Sequence, residues 1–151
     1  MPMHQPLTEH ARQVLDQAQH EARSLGQEFV GTEHVLLALL KSAGAHAVRI
    51  LRQQHVDRDA LATQLRSALS YSEEPPGVTG ALPMSPKMQR ALNSALVMSR
   101  SQREPKLSTR VLLLSLMEEQ GTPFLAALRD TGVDVEQLLR ALQEKPTDEE
   151  A

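Results

Sequence analysis

The chain has 151 residues, 40% hydrophobic and 23% charged, with a formal net charge of −3; it suits one compact domain, and its charge is too weak and mixed to steer it to nucleic acid or an anionic membrane. Its few aromatic residues, Tyr71, Phe29 and Phe124, leave the core to Leu, Ala, Val and Met, which predicts an all-α fold. The absence of cysteine excludes disulfides and thiol chemistry, no apolar run is long enough to span a membrane, and the start MPMHQPLTEH lacks the basic-then-apolar layout of a signal peptide, so a cytoplasmic protein is expected.

Thr8 is the predicted N-cap of a first helix reaching about Ser24, with Ala11, Val14, Leu15, Ala18, Ala22 and Leu25 at three- and four-residue spacings. The second helix lies in GTEHVLLALL, residues 31–40, with Thr32 as its expected N-cap. Glu33 then falls in the first turn, where the helix dipole favours a carboxylate, and the apolar remainder is expected to be buried. Gly44 is expected to end this helix. A short third helix carries Val48, Ile50 and Leu51, and a fourth starts at Asp57 and buries Leu61 and Leu65. Residues 70–84 are rich in Pro, Gly and Ser and read as a linker.

The same order then starts again. Ser85 precedes Pro86, which suits a first helical position. The stretch STRVLLLSLM, residues 108–117, repeats the buried design with Arg110 in the acid's place, and Gly121 is its expected terminator. Leu125, Ala127 and Leu128 follow, then Asp134 as a cap for Leu138 and Leu142, and an acidic tail, 144–151, expected to fray. An offset of 77 residues aligns Thr8 with Ser85 and runs without a gap to Leu65 and Leu142. It matches Thr32 with Thr109, Gly44 with Gly121, and Val56-Asp57 with Val133-Asp134, which two unrelated Leu-rich helices would not do. The chain therefore reads as two tandem four-helix units, 7–69 and 85–143.

No enzymatic constellation accompanies this architecture. There is no G-x-x-x-x-G-K-[ST] phosphate loop, no G-x-S-x-G elbow and no paired catalytic acids, so neither ATPase nor hydrolase chemistry is expected. Six histidines occur without H-E-x-x-H spacing or a cysteine, which argues against a metal, and no cofactor is expected. Met84, Met88, Met98 and Met117 read as core filler, whereas Met1, Met3, Leu7 and residues 82–84 precede the two first helices symmetrically and are placed to flank a groove.

The stretch LTEHARQVLDQAQHEARSLGQEFVGTEHVLLALL resembles the N-terminal domain of Clp-type AAA+ unfoldases, particularly the ClpC branch, and the likeness extends from about Leu7 to Leu142. The resemblance implies a pseudo-twofold pair of four-helix repeats that binds adaptors and substrates and serves Clp ATPase or protease components. It also implies phosphoarginine binding. A glutamate at the position of Glu33 pairs with the guanidinium, and the threonine opening the first helix, here Thr8, helps hold the phosphate, chemistry that suits a planar cation and the donors of a helix start. In the second unit Ser85 retains a hydroxyl but Arg110 reverses the charge, so that site is expected to be degenerate. Because the body of the helix is apolar, Arg110 is expected at the surface, either without a role or attracting an acidic partner. The start at Met1 and a tail without a Walker motif favour a free-standing binding module; the alternatives are a fragment or relic of a full unfoldase, or a regulator of an unrelated system using the same groove.

Overall fold

The computed structural model describes residues 6–69, 80–119 and 123–144. They form eight helices: α1 (Glu9–Ser24), α2 (Thr32–Leu40), α3 (His46–Gln53), α4 (Arg58–Ser67), α5 (Pro86–Ser101), α6 (Thr109–Glu118), α7 (Phe124–Asp130) and α8 (Val135–Gln143). Among the described residues there is no strand, only two isolated parallel bridges, Leu7 with Leu107 and Val30 with Met84. The all-α expectation holds, and α1, α2 and α4, which begin at residues 9, 32 and 58, have counterparts beginning at 86, 109 and 135.

Local chemistry sets the helix starts. Thr8 Oγ1 accepts from Ala11 N–H at 3.1 Å, Ser85 Oγ from Met88 N–H at 3.1 Å, Asp57 Oδ1 from Ala60 N–H at 3.1 Å and Asp134 Oδ1 from Gln137 N–H at 3.2 Å. Each hydroxyl or carboxylate satisfies one of the N–H groups that the first turn leaves without a helical partner. The ends of α1, α3, α5 and α7 follow one pattern as well. In Gly26, His55, Arg103 and Gly132 the backbone is left-handed, with φ of 69°, 60°, 58° and 83°. Each N–H bonds back three residues and the next N–H bonds back five, as in Gln27 to Ala22 O at 2.9 Å and Val133 to Leu128 O at 3.0 Å. Gly44 has no such role, because α2 already ends at Leu40. Its lack of a side chain matters for space: a β-carbon there would lie 3.0 Å from His10 Cε1. Gly121 lies outside the described residues.

The two apolar helices form the centre. In α2 every residue except Glu33 is buried, and in α6 everything from Thr109 to Met117 is. Packing pairs α2 with α1 and α6 with α5, α2 and α6 touch, α3 lies on α6 and α8, and α4 on α7. The two sets of helices thus share one hydrophobic core. Met88 and Met117 lie inside it, with Met84 and Met98 packed against it. Thr109 Oγ1 adds a polar tie by accepting Ala47 N–H at 3.1 Å, so the start of α6 caps the start of α3.

Residues 80–84, which the composition assigned to a linker, are docked rather than loose. Gln19 bonds the Leu82 backbone in both directions, at 2.9 and 2.8 Å, and Leu82 is buried. The remainder of that stretch, 70–79, lies outside the described residues, as do Met1, Met3 and tail residues 145–151.

Candidate functional site

The two bridges join the helix starts crosswise. Val30 N–H donates to Pro83 O and Ser85 N–H to Val30 O, both at 2.9 Å, so the chain entering α2 runs beside the chain entering α5. Likewise Thr8 N–H donates to Leu107 O at 3.0 Å and Leu107 N–H to Pro6 O at 2.8 Å, so the start of α1 runs beside that of α6. Glu33 therefore neighbours Ser85, and Thr8 neighbours the helix start that carries Arg110. The resemblance had coupled Glu33 to Thr8 within one unit; the backbone pairing couples each unit to the other.

At the first of these junctions three polar groups converge in front of Gly31. A β-carbon placed on Gly31 would lie 3.2 Å from Glu33 Oε2, 3.6 Å from His34 Nδ1 and 3.9 Å from Ser85 Oγ. The backbone of Gly31, with φ −99° and ψ 178°, is ordinary extended chain, so glycine is needed there for room and not for conformation. Gly31, not Thr32, is the N-cap of α2. Having no side chain, it leaves the capping to His34, whose Nδ1 accepts Gly31 N–H at 2.8 Å. His34 is 3% exposed, and burial pushes its pKa down against the opposing pull of Glu33 and Glu21. Glu33 and Ser85 are both partly accessible. Phe29, 52% exposed, precedes this turn.

The second junction is closed. Thr8 is buried and its hydroxyl caps α1. Arg110, expected at the surface, is 0% exposed and its guanidinium is spent internally. It pairs with Glu104, bonds Gln102 Oε1 at 2.6 Å and donates to Leu142 O at 2.6 Å. A cation is disfavoured in a first helical turn, but this charge does not stay there. The side chain leads the charge away from the start of α6 to a carbonyl in the last turn of α8, where a cation is favoured. Glu104 was not singled out from the sequence; the available signal was an acid six residues before Arg110, where the first unit has Gln27 before Glu33.

Among the described residues no cluster of His, Asp and Glu is placed to hold a metal, and no helix is long and apolar enough to cross a membrane.

A paired set of buried helices capped at crosswise starts is the architecture of a Clp N-terminal domain, and the family model described as "Clp repeat (R) N-terminal domain" matches residues 6–130 and 83–150. The chain belongs to that family. Over 137 residues it is 28% identical to a probable ATP-dependent Clp protease ATP-binding subunit of Chlamydia pneumoniae, covering 87% of this chain and 16% of that protein. The fold is shared with the N-terminal domain of Hsp104 from Candida albicans, at a TM-score of 0.77 and 15% identity over 92% of this chain and 90% of that one. It is shared too with the ClpV N-domain solved in complex with a VipB peptide, at a TM-score of 0.68 and 21% identity over 92% and 90% of the two chains.

Proposed function

We propose that the chain is a non-catalytic binding module of the Clp system that recognises protein segments carrying phosphoarginine through a single site at the junction of α2 and α5, and so presents them to Clp ATPase or protease components or their adaptors. The observation that carries this reading is the convergence of the Glu33 carboxylate and the Ser85 hydroxyl in front of Gly31, where a β-carbon would lie 3.2 Å from the one and 3.9 Å from the other. A carboxylate suits a guanidinium, which it binds by two parallel N–H···O bonds, and the start of the sixteen-residue α5 suits a phosphate. Phe29 at the rim offers apolar area to the rest of the peptide. The peptide held by the ClpV N-domain supports peptide binding as the general mode. Arg110, whose charge is taken up by its own buried ion pair, supports a stoichiometry of one.

Titration calorimetry with free phosphoarginine, with arginine and inorganic phosphate as controls, tests the reading. One site is expected, and loss of a charge-assisted pair worth about 1.5 to 3 kcal/mol in Glu33→Ala corresponds to an affinity drop of about tenfold or more. A folded wild type that binds no phosphoarginine overturns it.

A further inference from the structure

We infer that His34 is the positioning residue of this site: its neutral imidazole, protonated on Nε2, holds the Gly31–Glu33 turn in the shape that keeps the Glu33 carboxylate beside Ser85, and protonation of His34 releases that turn.

The inference starts from a capping problem solved in two ways. At α6, Ser108 Oγ accepts Val111 N–H at 3.3 Å, the usual arrangement in which the N-cap side chain reaches forward. At α2 the N-cap has no side chain, and His34 reaches back instead. Val111 occupies the position equivalent to His34, so the imidazole cap belongs to the first start alone. The two solutions leave different spaces. A serine at residue 31 would put its β-carbon 3.2 Å from Glu33 Oε2 and 3.9 Å from Ser85 Oγ, whereas glycine with a histidine three residues later caps the helix and adds no atom between them.

The geometry also fixes the protonation state. An imidazole nitrogen that accepts Gly31 N–H at 2.8 Å carries no proton, so the single proton of the neutral ring sits on Nε2. Nε2 is itself buried without a hydrogen-bond partner. A second proton would turn Nδ1 from acceptor into donor and set it against Gly31 N–H, in a place only 3% exposed to relieving water. The charged groups acting on the ring are Glu33 on α2 and Glu21 on α1, the latter held by Lys41 at the far end of α2; both favour the imidazolium, and burial outweighs them.

The ligand part of the test rests on the phosphoarginine reading; the NMR part does not. Nitrogen-15 imidazole spectra of the intact chain at pH 7.5 are expected to show His34 neutral with Nε2 protonated. On acidification the Gly31 amide is expected to shift with the same midpoint as the His34 ring. In His34→Asn, whose side-chain oxygen stands where Nδ1 stood and does not titrate, that shift of Gly31 is expected to vanish. Phosphoarginine affinity at pH 7.5 is expected to stay within about twofold in His34→Asn and to fall about tenfold in His34→Leu, a loss of about 1.4 kcal/mol. A ring protonated on Nδ1 at pH 7.5, or a Gly31 titration unchanged in His34→Asn, overturns the positioning role, as does wild-type affinity in a folded His34→Leu. If the wild type binds no phosphoarginine yet Gly31 and His34 titrate together, the ligand assignment fails and the positioning role stands.

Discussion

Arg110 and Glu104 form an ion pair almost wholly removed from solvent, their side chains 0% and 6% exposed. The pair accounts for a charge reversal that the repeat alone leaves unexplained. Where the first unit carries Gln27 and Glu33, the second carries Glu104 and Arg110, so the cation arrives with its own counter-ion. Two further bonds from the guanidinium, to Gln102 and to Leu142 O, join the loop before α6 to the end of α8. The position that is partly accessible at one junction is a structural clasp at the other.

Breaking this clasp from one side is expected to be severe. Arg110→Ala takes the guanidinium from the buried Glu104 carboxylate, a loss of about 3 to 5 kcal/mol in urea denaturation. Arg110→Glu places two acids together and is expected to be at least as damaging, so restoring a glutamate there does not create a second phosphoarginine site. The double variant Arg110→Met with Glu104→Leu removes both charges and is expected to recover most of the loss. An Arg110→Glu protein with the wild-type denaturation midpoint would contradict the clasp.

Much of the fold was legible in the sequence because it rests on local, repeated signals. The helix-capping Thr8, Ser85, Asp57 and Asp134, and the largely apolar bodies of α2 and α6, read the same way in the chain and in the structure. The errors came where two distant segments meet. Nothing local to Glu33 says that its neighbour is Ser85, because the bridge between Val30 and Met84 spans more than fifty residues of chain. Position in a first turn implied exposure for Arg110, yet it points into packing between elements, as does His34. Gly44 was read as a helix terminator, whereas among the described residues the left-handed helix ends occur at 26, 55, 103 and 132, and only two of those four are glycine.

The two exceptions among these turns offer a stability test. His55 and Arg103 adopt φ of 60° and 58° where their counterparts in the other unit are Gly132 and Gly26. A side chain in that region costs about 1 to 2 kcal/mol, and a glycine gives back about 0.5 to 1 kcal/mol through the greater freedom of the unfolded chain. His55→Gly and Arg103→Gly are each expected to stabilise by a few tenths to about 1 kcal/mol, read as a rise in the denaturation midpoint. A fall in both would show that those side chains contribute more than the strain they carry.

Acid is expected to weaken the fold through His34. Its pKa is lowered in the folded state, chiefly by burial, so below the ordinary histidine value of about 6.5 the unfolded chain takes up a proton that the folded one resists. The sign follows directly. The contribution is complete above about pH 6.5, falls as the pH drops, and levels off once the folded-state pKa is passed. Denaturation of wild type and His34→Asn between pH 7.5 and 5 measures it, and the variant is expected to lose less stability over that interval. Parallel curves would assign the acid sensitivity to other groups.

Gly31 separates the demands of the helix from those of the ligand. Its extended backbone, φ −99° and ψ 178°, admits any residue, so Gly31→Ala brings no strain of conformation. The new methyl would stand 3.2 Å from Glu33 Oε2, close enough to displace the end of that flexible side chain yet clear of any backbone atom within hard contact. Stability is therefore expected to change by less than about 1 kcal/mol, while phosphoarginine affinity falls by about tenfold or more because the displaced carboxylate and the methyl share the ligand's space. The double variant Gly31→Ser with His34→Val carries the argument further. It installs at α2 the cap that Ser108 and Val111 provide at α6, so the helix keeps a satisfied start and the site loses its gap. A stable protein that no longer binds phosphoarginine is the expected result, and full affinity in either variant would place the ligand somewhere other than between Glu33 and Ser85.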